Sequence, residues 1–246
     1  MDRVTHRNQR LAALLLMLLS MALPGIARAA DESAAADEVM QAYVAACGGR
    51  ENLDRIQNRV TESKLSMGWI SAGVKSTLVR PDRFVDEAKL LGMASGSGYD
   101  GTTGWTRDGG KLTVVTGAEL TRLLRGHSLD WYKQYPAWYP VRRRLPDAML
   151  DGAAMHVIEL TATTGETEIW RFDAQTGLLS QIEGYKFEKD KEPVKVISTL
   201  GDYRKVDGVT LPHSVKATDG KRTFSAVVET LRHNQTLAPI RFPADD

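Results

Sequence analysis

The sequence predicts an α+β domain built on one extensive antiparallel sheet. Two observations lead there. After a single helical stretch the apolar residues recur at every second position, segment after segment, and the turns between segments are short enough for hairpins. A second helical pattern and a dense aromatic stretch are inserted among these segments, so something must lie over the sheet.

The first 29 residues are read apart from the domain. Arg3, Arg7 and Arg10 precede an apolar run from Leu11 to Leu23, and Pro24-Gly25 leads to small residues at Ala27 and Ala29. This is the order of a cleavable secretory signal peptide, with Pro24-Gly25 expected to end the helix and cleavage expected after Ala29. The run is about thirteen residues, shorter than the ~20 that span a bilayer. No cysteine stands at the cleavage point to take a lipid and no twin-arginine pair precedes the run, so the expectation is a periplasmic product without a stable membrane anchor. Residues 30–246 then form a single domain.

Composition excludes several function classes. The segment 1–29 carries four Arg and one Asp, so the remainder is close to neutral, about −2, without the basic excess of a nucleic-acid binder. Arg142-Arg143-Arg144 is the local exception, read as a solvated edge or a docking patch. Cys47 is the only cysteine, so no internal disulfide forms. At the end of a helix it reads as a buried, inert thiol.

The elements follow in order. Val39, Met40, Tyr43, Val44 and Cys47 lie at helical spacing over 34–47, with Gly48 as the C-terminal cap and a short second turn through Leu53 and Ile56. From Val60 the period becomes two. Leu65, Met67 and Trp69 share one face, followed by Val74, Ser76 and Leu78, then Phe84, Ala88 and Leu90, with turns at Pro81-Asp82, Asp100-Gly101, Asp108-Gly109 and Gly117. Leu120, Leu123, Leu124 and His127 give an amphipathic helix over 117–130. In the aromatic stretch 131–140, Pro136 and Pro140 argue against a regular helix. Strands return at 155–160, 168–172, 178–187, 194–203, 210–216 and 223–231.

Tests for catalytic motifs come out structural. Gly96-Ser97-Gly98-Tyr99-Asp100-Gly101 has dinucleotide-fingerprint spacing, but another turn and strand follow it where a helix N-terminus is needed. His127, His156, His213 and His233 are scattered singly, without metal-ligand spacing. Asp86-Glu87 point to opposite strand faces and do not make a carboxylate pair. The expectation is no enzyme, no metal and no cofactor. What remains is either an ordinary apolar core or a hydrophobic cavity between sheet and helices.

The order of pieces resembles a known group. The helix ends in Cys47-Gly48-Gly49-Arg50-Glu51-Asn52-Leu53; then come Arg80-Pro81-Asp82-Arg83-Phe84 and Tyr99-Asp100-Gly101-Thr102-Thr103-Gly104-Trp105. Leu120-Thr121-Arg122-Leu123-Leu124, Phe172-Asp173-Ala174-Gln175-Thr176-Gly177-Leu178 and the stretch from Asp202 to Pro212 follow. Together they resemble the LolA/LolB-like outer-membrane lipoprotein-sorting proteins. The resemblance implies an incomplete β-barrel, a strongly curved antiparallel sheet whose open side is closed by helices around a cavity for acyl chains. Lipid or lipoprotein acyl chains are then the expected ligand, with Leu65, Met67, Trp69, Leu78, Phe84, Leu90, Trp105 and Trp170 as contacts and Leu120, Leu123 and Leu124 as a lid. The alternative is an envelope interaction or sensor module, in which Trp138 and Arg143 dock a partner such as an envelope membrane protein. A hydrolase is the third and weakest reading.

Overall fold

Helix α1 (Leu23–Ala46) opens the part of the chain described by this computed structural model, which covers residues 23–90, 92–187 and 192–243. Residues 1–22 of the expected signal segment lie outside the described residues. The helix begins earlier than the apolar period suggests and runs through the expected cleavage point. Pro24 does not end it: the described helix includes Pro24 and Gly25 and continues to Ala46. Ala36, Val39, Met40, Tyr43, Val44 and Cys47 are buried, as their spacing requires. The helix stops where Gly48 takes φ +111, and α2 (Gly49–Arg55) follows. Asn52 Nδ2 donates to the Gly48 carbonyl at 2.7 Å, and the Thr210 N–H donates to the Cys47 carbonyl at 2.9 Å.

The described residues form one antiparallel sheet of thirteen strands. These are β1 (Asn58–Met67), β2 (Ile70–Val79), β3 (Arg83–Leu90), β4 (Met93–Tyr99), β5 (Gly104–Asp108) and β6 (Lys111–Val115), then β7 (Val141–Leu150), β8 (Ala153–Thr161), β9 (Thr167–Asp173), β10 (Leu179–Lys186), β11 (Val194–Val206), β12 (Val209–Thr218) and β13 (Thr223–His233). Between β6 and β7 lie α3 (Gly117–His127) and α4 (Trp131–Trp138). The spatial order runs β6 to β1, then β13 down to β7, so the first and last strands meet in the middle. The two edges, β6 and β7, are therefore neighbours in sequence, and the α3–α4 connection must cross from one edge to the other. This is an incomplete barrel with helices across its open side.

Two details differ from the sequence reading. The arginine triplet lies in a strand, β7, at the edge of the sheet; the strand was not foreseen because Arg142-Arg143-Arg144 breaks the period-two apolar pattern between Val141 and Leu145. The aromatic stretch forms α4 with Pro136 inside it. Pro136 is on the exposed side and costs one hydrogen bond of a two-turn helix, while Tyr132 and Tyr135 are buried on the other side.

The inner face of the sheet is the one that meets the helices. On it, Leu78 and Phe84 pair across β2 and β3 and pack with Val44, Leu53, Ile56 and Tyr132. Further along, Ile158, Leu160, Phe172 and Leu179 pack against α1 together with Tyr135 and Tyr139. Arg80 fastens this layer by donating to the carbonyls of Ile56 (2.5 Å) and Leu53 (2.8 Å) and to the Asp130 carboxylate. Asp37 of α1 likewise accepts from Arg142 Nε at 2.8 Å and from the Tyr135 hydroxyl.

Candidate functional site

The helices do not fill the inner face. Two adjoining chambers of about 460 Å³ each remain, sharing Glu168, Ile182 and Tyr185. The first is walled by Tyr43 of α1, by Trp131, Tyr135 and Trp138 of α4, by Tyr139 after it, and by Trp170 of β9, above a floor of Leu179 and Ile182. The second has a floor of small residues, Gly184, Ser198 and Ala217, bounded by Val196 and Phe224. Chambers of this size and lining suit an apolar chain. A third hollow, about 600 Å³, lies on the outer face over β1–β5 and is bordered by Glu62, Lys75, Glu87, Lys89 and Arg107. Its charged border and its distance from the helices make it a hydrated groove rather than a continuation of the cavity.

The rim of the first chamber is ionic. Glu168 accepts from the Tyr139 hydroxyl (2.9 Å), Trp170 Nε1 (2.8 Å) and Arg125 (3.2 Å), which fixes two aromatic walls in place. Glu166 accepts from Arg125 (2.6 Å), Arg122 (3.1 Å) and Thr164 (2.6 Å). Burial alone would push the Glu166 carboxyl up, but these donors outweigh it and hold the group down to about 2. Burial, and then the Glu168 charge, push the Tyr139 hydroxyl well up. Burial also pushes the Cys47 thiol up to about 11, so it is a protonated core group and no nucleophile. No group of three or more His, Cys, Asp or Glu among the described residues is placed to hold a metal.

Helix α3 closes the site over the β3–β6 half. His127 Nε2 lies 2.7 Å from Asp86 Oδ2 and its Nδ1 lies 2.6 Å from the Leu123 carbonyl, with the ring stacked on Phe84 at 4.0 Å. Both partners only accept, so both ring nitrogens carry protons and the ring is an imidazolium.

The residues expected from the sequence divide. Trp170 lines the first chamber, and Trp138 walls it rather than facing outward. Leu78 and Phe84 are on the inner face but lie sealed in the core. Leu65 and Met67 are half-buried on that face toward the hairpin. Trp69 is in the β1–β2 turn with 88% of its surface exposed, so it joins no cavity. Trp105 lies on the outer face: Tyr99 pairs with Gly104 and Gly98 with Trp105, and the one-residue step reverses the direction. There it is buried over Gly98 and against Phe242. The side chain of Leu90 lies outside the described residues. Leu120 packs over Gly104 and Val115, and Leu123 and Leu124 join the core, so the leucines seat α3 while its Arg122 and Arg125 face the chamber. Arg143 is exposed and pairs with Glu159 at 2.5 Å.

Tyr43, Arg59, Trp131, Tyr135, Tyr139, Glu166, Glu168 and Ile182 were not foreseen as chamber residues. The crowding of aromatics at 131–139 was the available signal for three of them, Trp131, Tyr135 and Tyr139.

Three solved structures place this architecture. A domain described as an outer-membrane lipoprotein-sorting protein from Vibrio parahaemolyticus superposes with a TM-score of 0.56 at 13% identity, over 84% of this chain and 95% of its own. The chain has the LolA fold. A LolA superfamily protein from Nitrosomonas europaea agrees, with a TM-score of 0.51 at 9% identity over 79% of this chain and 94% of its own. A DUF1329 family protein from Desulfovibrio piger superposes as well, with a TM-score of 0.54 at 13% identity over 82% of this chain and 95% of its own. No family model and no curated protein sequence matches the chain.

Proposed function

We propose that this protein is a periplasmic carrier that shelters an acyl chain of a lipid or lipoprotein in the cavity between its helices and its sheet. The observation that carries the reading is the pair of joined chambers on the inner face, walled by aromatics and floored by Gly184, Ser198 and Ala217. An apolar chain moved there from water gains about 0.8 kcal/mol per buried CH₂, and no covalent step is needed. The signal segment at 1–29, with cleavage after Ala29, supplies the route to the compartment between membranes. The lipoprotein-sorting description of the Vibrio structure supports the same class of cargo.

The test is to plug the cavity without touching its walls. A Cβ at Gly184 meets only Glu168, at 3.5 Å and beyond, and the backbone there is ordinary. Gly184→Phe is therefore expected to fold normally, fill the second chamber and abolish capture of an acyl-chain fluorophore. The wild-type protein, purified from the periplasm with Ala30 at its N-terminus, should yield lipid on extraction. A Gly184→Phe protein that binds the fluorophore as well as the wild type would overturn the reading.

A further inference from the structure

The charges around the first chamber do not balance, and the imbalance sits on one residue. Arg122 and Arg125 of α3 face Glu166 and Glu168, and these four form ion pairs with one another. Glu166 Oε2 is buried with no hydrogen-bond partner among the described residues, so this group has an acceptor to spare. It makes no demand for an anion.

Arg59 differs. It lies on the inner face of β1, paired in register with Leu78 and His233, and lines the first chamber with Tyr43. No described carboxylate pairs with it, and its charge acts on Cys47, His127 and His233 from α1, α3 and β13. None of these supplies a negative charge. Burial pushes the Tyr43 hydroxyl and the Cys47 thiol up, which keeps both neutral, and the histidines carry positive charge or none. The nearby carboxylates are committed elsewhere: Asp86 holds His127, and Asp207 accepts from His233 at 3.1 Å. Arg59 is half-buried; a guanidinium drawn partly out of water without a partner is costly, and a ligand that brings an anion to it removes that cost. The planar fork of donors suits a carboxylate or a phosphate, which it can hold through two parallel hydrogen bonds.

We infer that the cavity takes an anionic amphiphile, its carboxylate or phosphate head seated on Arg59 beside Tyr43 and its single chain running past Trp170 and Ile182 into the second chamber. The inference rests on the carrier reading and narrows it. A neutral acyl glyceride would leave Arg59 unpaired inside the protein, whereas a long-chain acid or a phosphate monoester fills the chambers and neutralises the wall in one step.

The experiment displaces an acyl-chain fluorophore from the mature protein with hexadecanoate, hexadecyl phosphate and hexadecanol. The two anions are expected to bind the wild type about tenfold or more tightly than the alcohol, the scale of a charge-assisted pair. Arg59→Gln should remove that preference, bringing the two anions down toward the affinity of hexadecanol in the same variant, and Arg59→Lys, which keeps the charge, should retain part of it. Whichever anion binds tighter identifies the head group. Equal affinity for alcohol and anions in the wild type, or an undiminished preference in Arg59→Gln, would overturn the inference with the carrier reading intact. Failure of all three compounds would overturn both.

Discussion

Replacing Asp86 with Asn tests how α3 is held over the sheet. The Asp86–His127 pair, at 2.7 Å with each side chain a little over one-fifth exposed, is a charge-assisted hydrogen bond between a strand and the helix above it. Such bonds contribute about 1.5–3 kcal/mol. Taking about 2 kcal/mol, a domain of this size should lose about 4–8 °C of melting temperature. The effect should depend on pH. Burial alone would lower the pKa of His127, but the Asp86 hydrogen bond and charge, with the Leu123 carbonyl, raise it above the ordinary imidazole value. A raised pKa contributes stability that is whole below ~6.5 and is lost as pH climbs through the folded value. For Asp86, burial alone would push the carboxyl up, but His127, Ser76 and Ser97 hold it below the usual range. Its contribution is whole above ~3.9 and lost only as pH falls through the lower folded value. The latch is complete near pH 6 and weakened near pH 9. Melting curves of wild type, Asp86→Asn, His127→Gln and the double variant at both pH values isolate the pair from His233, whose shift has the opposite sign through burial. A wild-type to Asp86→Asn gap that is the same at pH 6 and pH 9 would refute the argument. Faster exchange of a bound acyl fluorophore in Asp86→Asn should accompany the loss, because α3 carries the arginine wall of the chamber.

Other substitutions check the placement of single residues. Trp69→Phe changes an exposed hairpin tip and should leave stability within about 0.5 kcal/mol and cavity binding unaltered; weakened binding in a titration would return Trp69 to the site. Gly48→Ala should cost more than about 2 kcal/mol, read from denaturant midpoints, since φ +111 disfavours a side chain and its Cβ would come within 2.2 Å of the Gly208 carbonyl oxygen. Little change there would mean that the α1–α2 junction moves freely against the β11–β12 turn.

The sequence by itself determined what depends on neighbours along the chain. The period-two apolar pattern marked most of the strands, the 3–4 spacing of Val39, Met40, Tyr43, Val44 and Cys47 marked the buried side of α1, and Gly48 marked its end. These readings are local, because side-chain direction follows from backbone repeat. They failed where local pattern and packing disagree. In α4 the burial of Tyr132 and Tyr135 outweighs the one hydrogen bond lost at Pro136, and β7 forms although three successive arginines interrupt its apolar pattern, because Arg142, Arg143 and Arg144 each find a carboxylate partner. The cavity belongs to the tertiary structure alone. Which face Trp105 takes depends on a one-residue step in the β4–β5 register. Arg59 reads as one more strand arginine until β1, α1 and α4 come together and leave it facing a chamber whose carboxylates are paired with other arginines. A sequence states what each residue can bury or pair with, but which of those capacities stays unmet is settled only when distant elements are packed side by side.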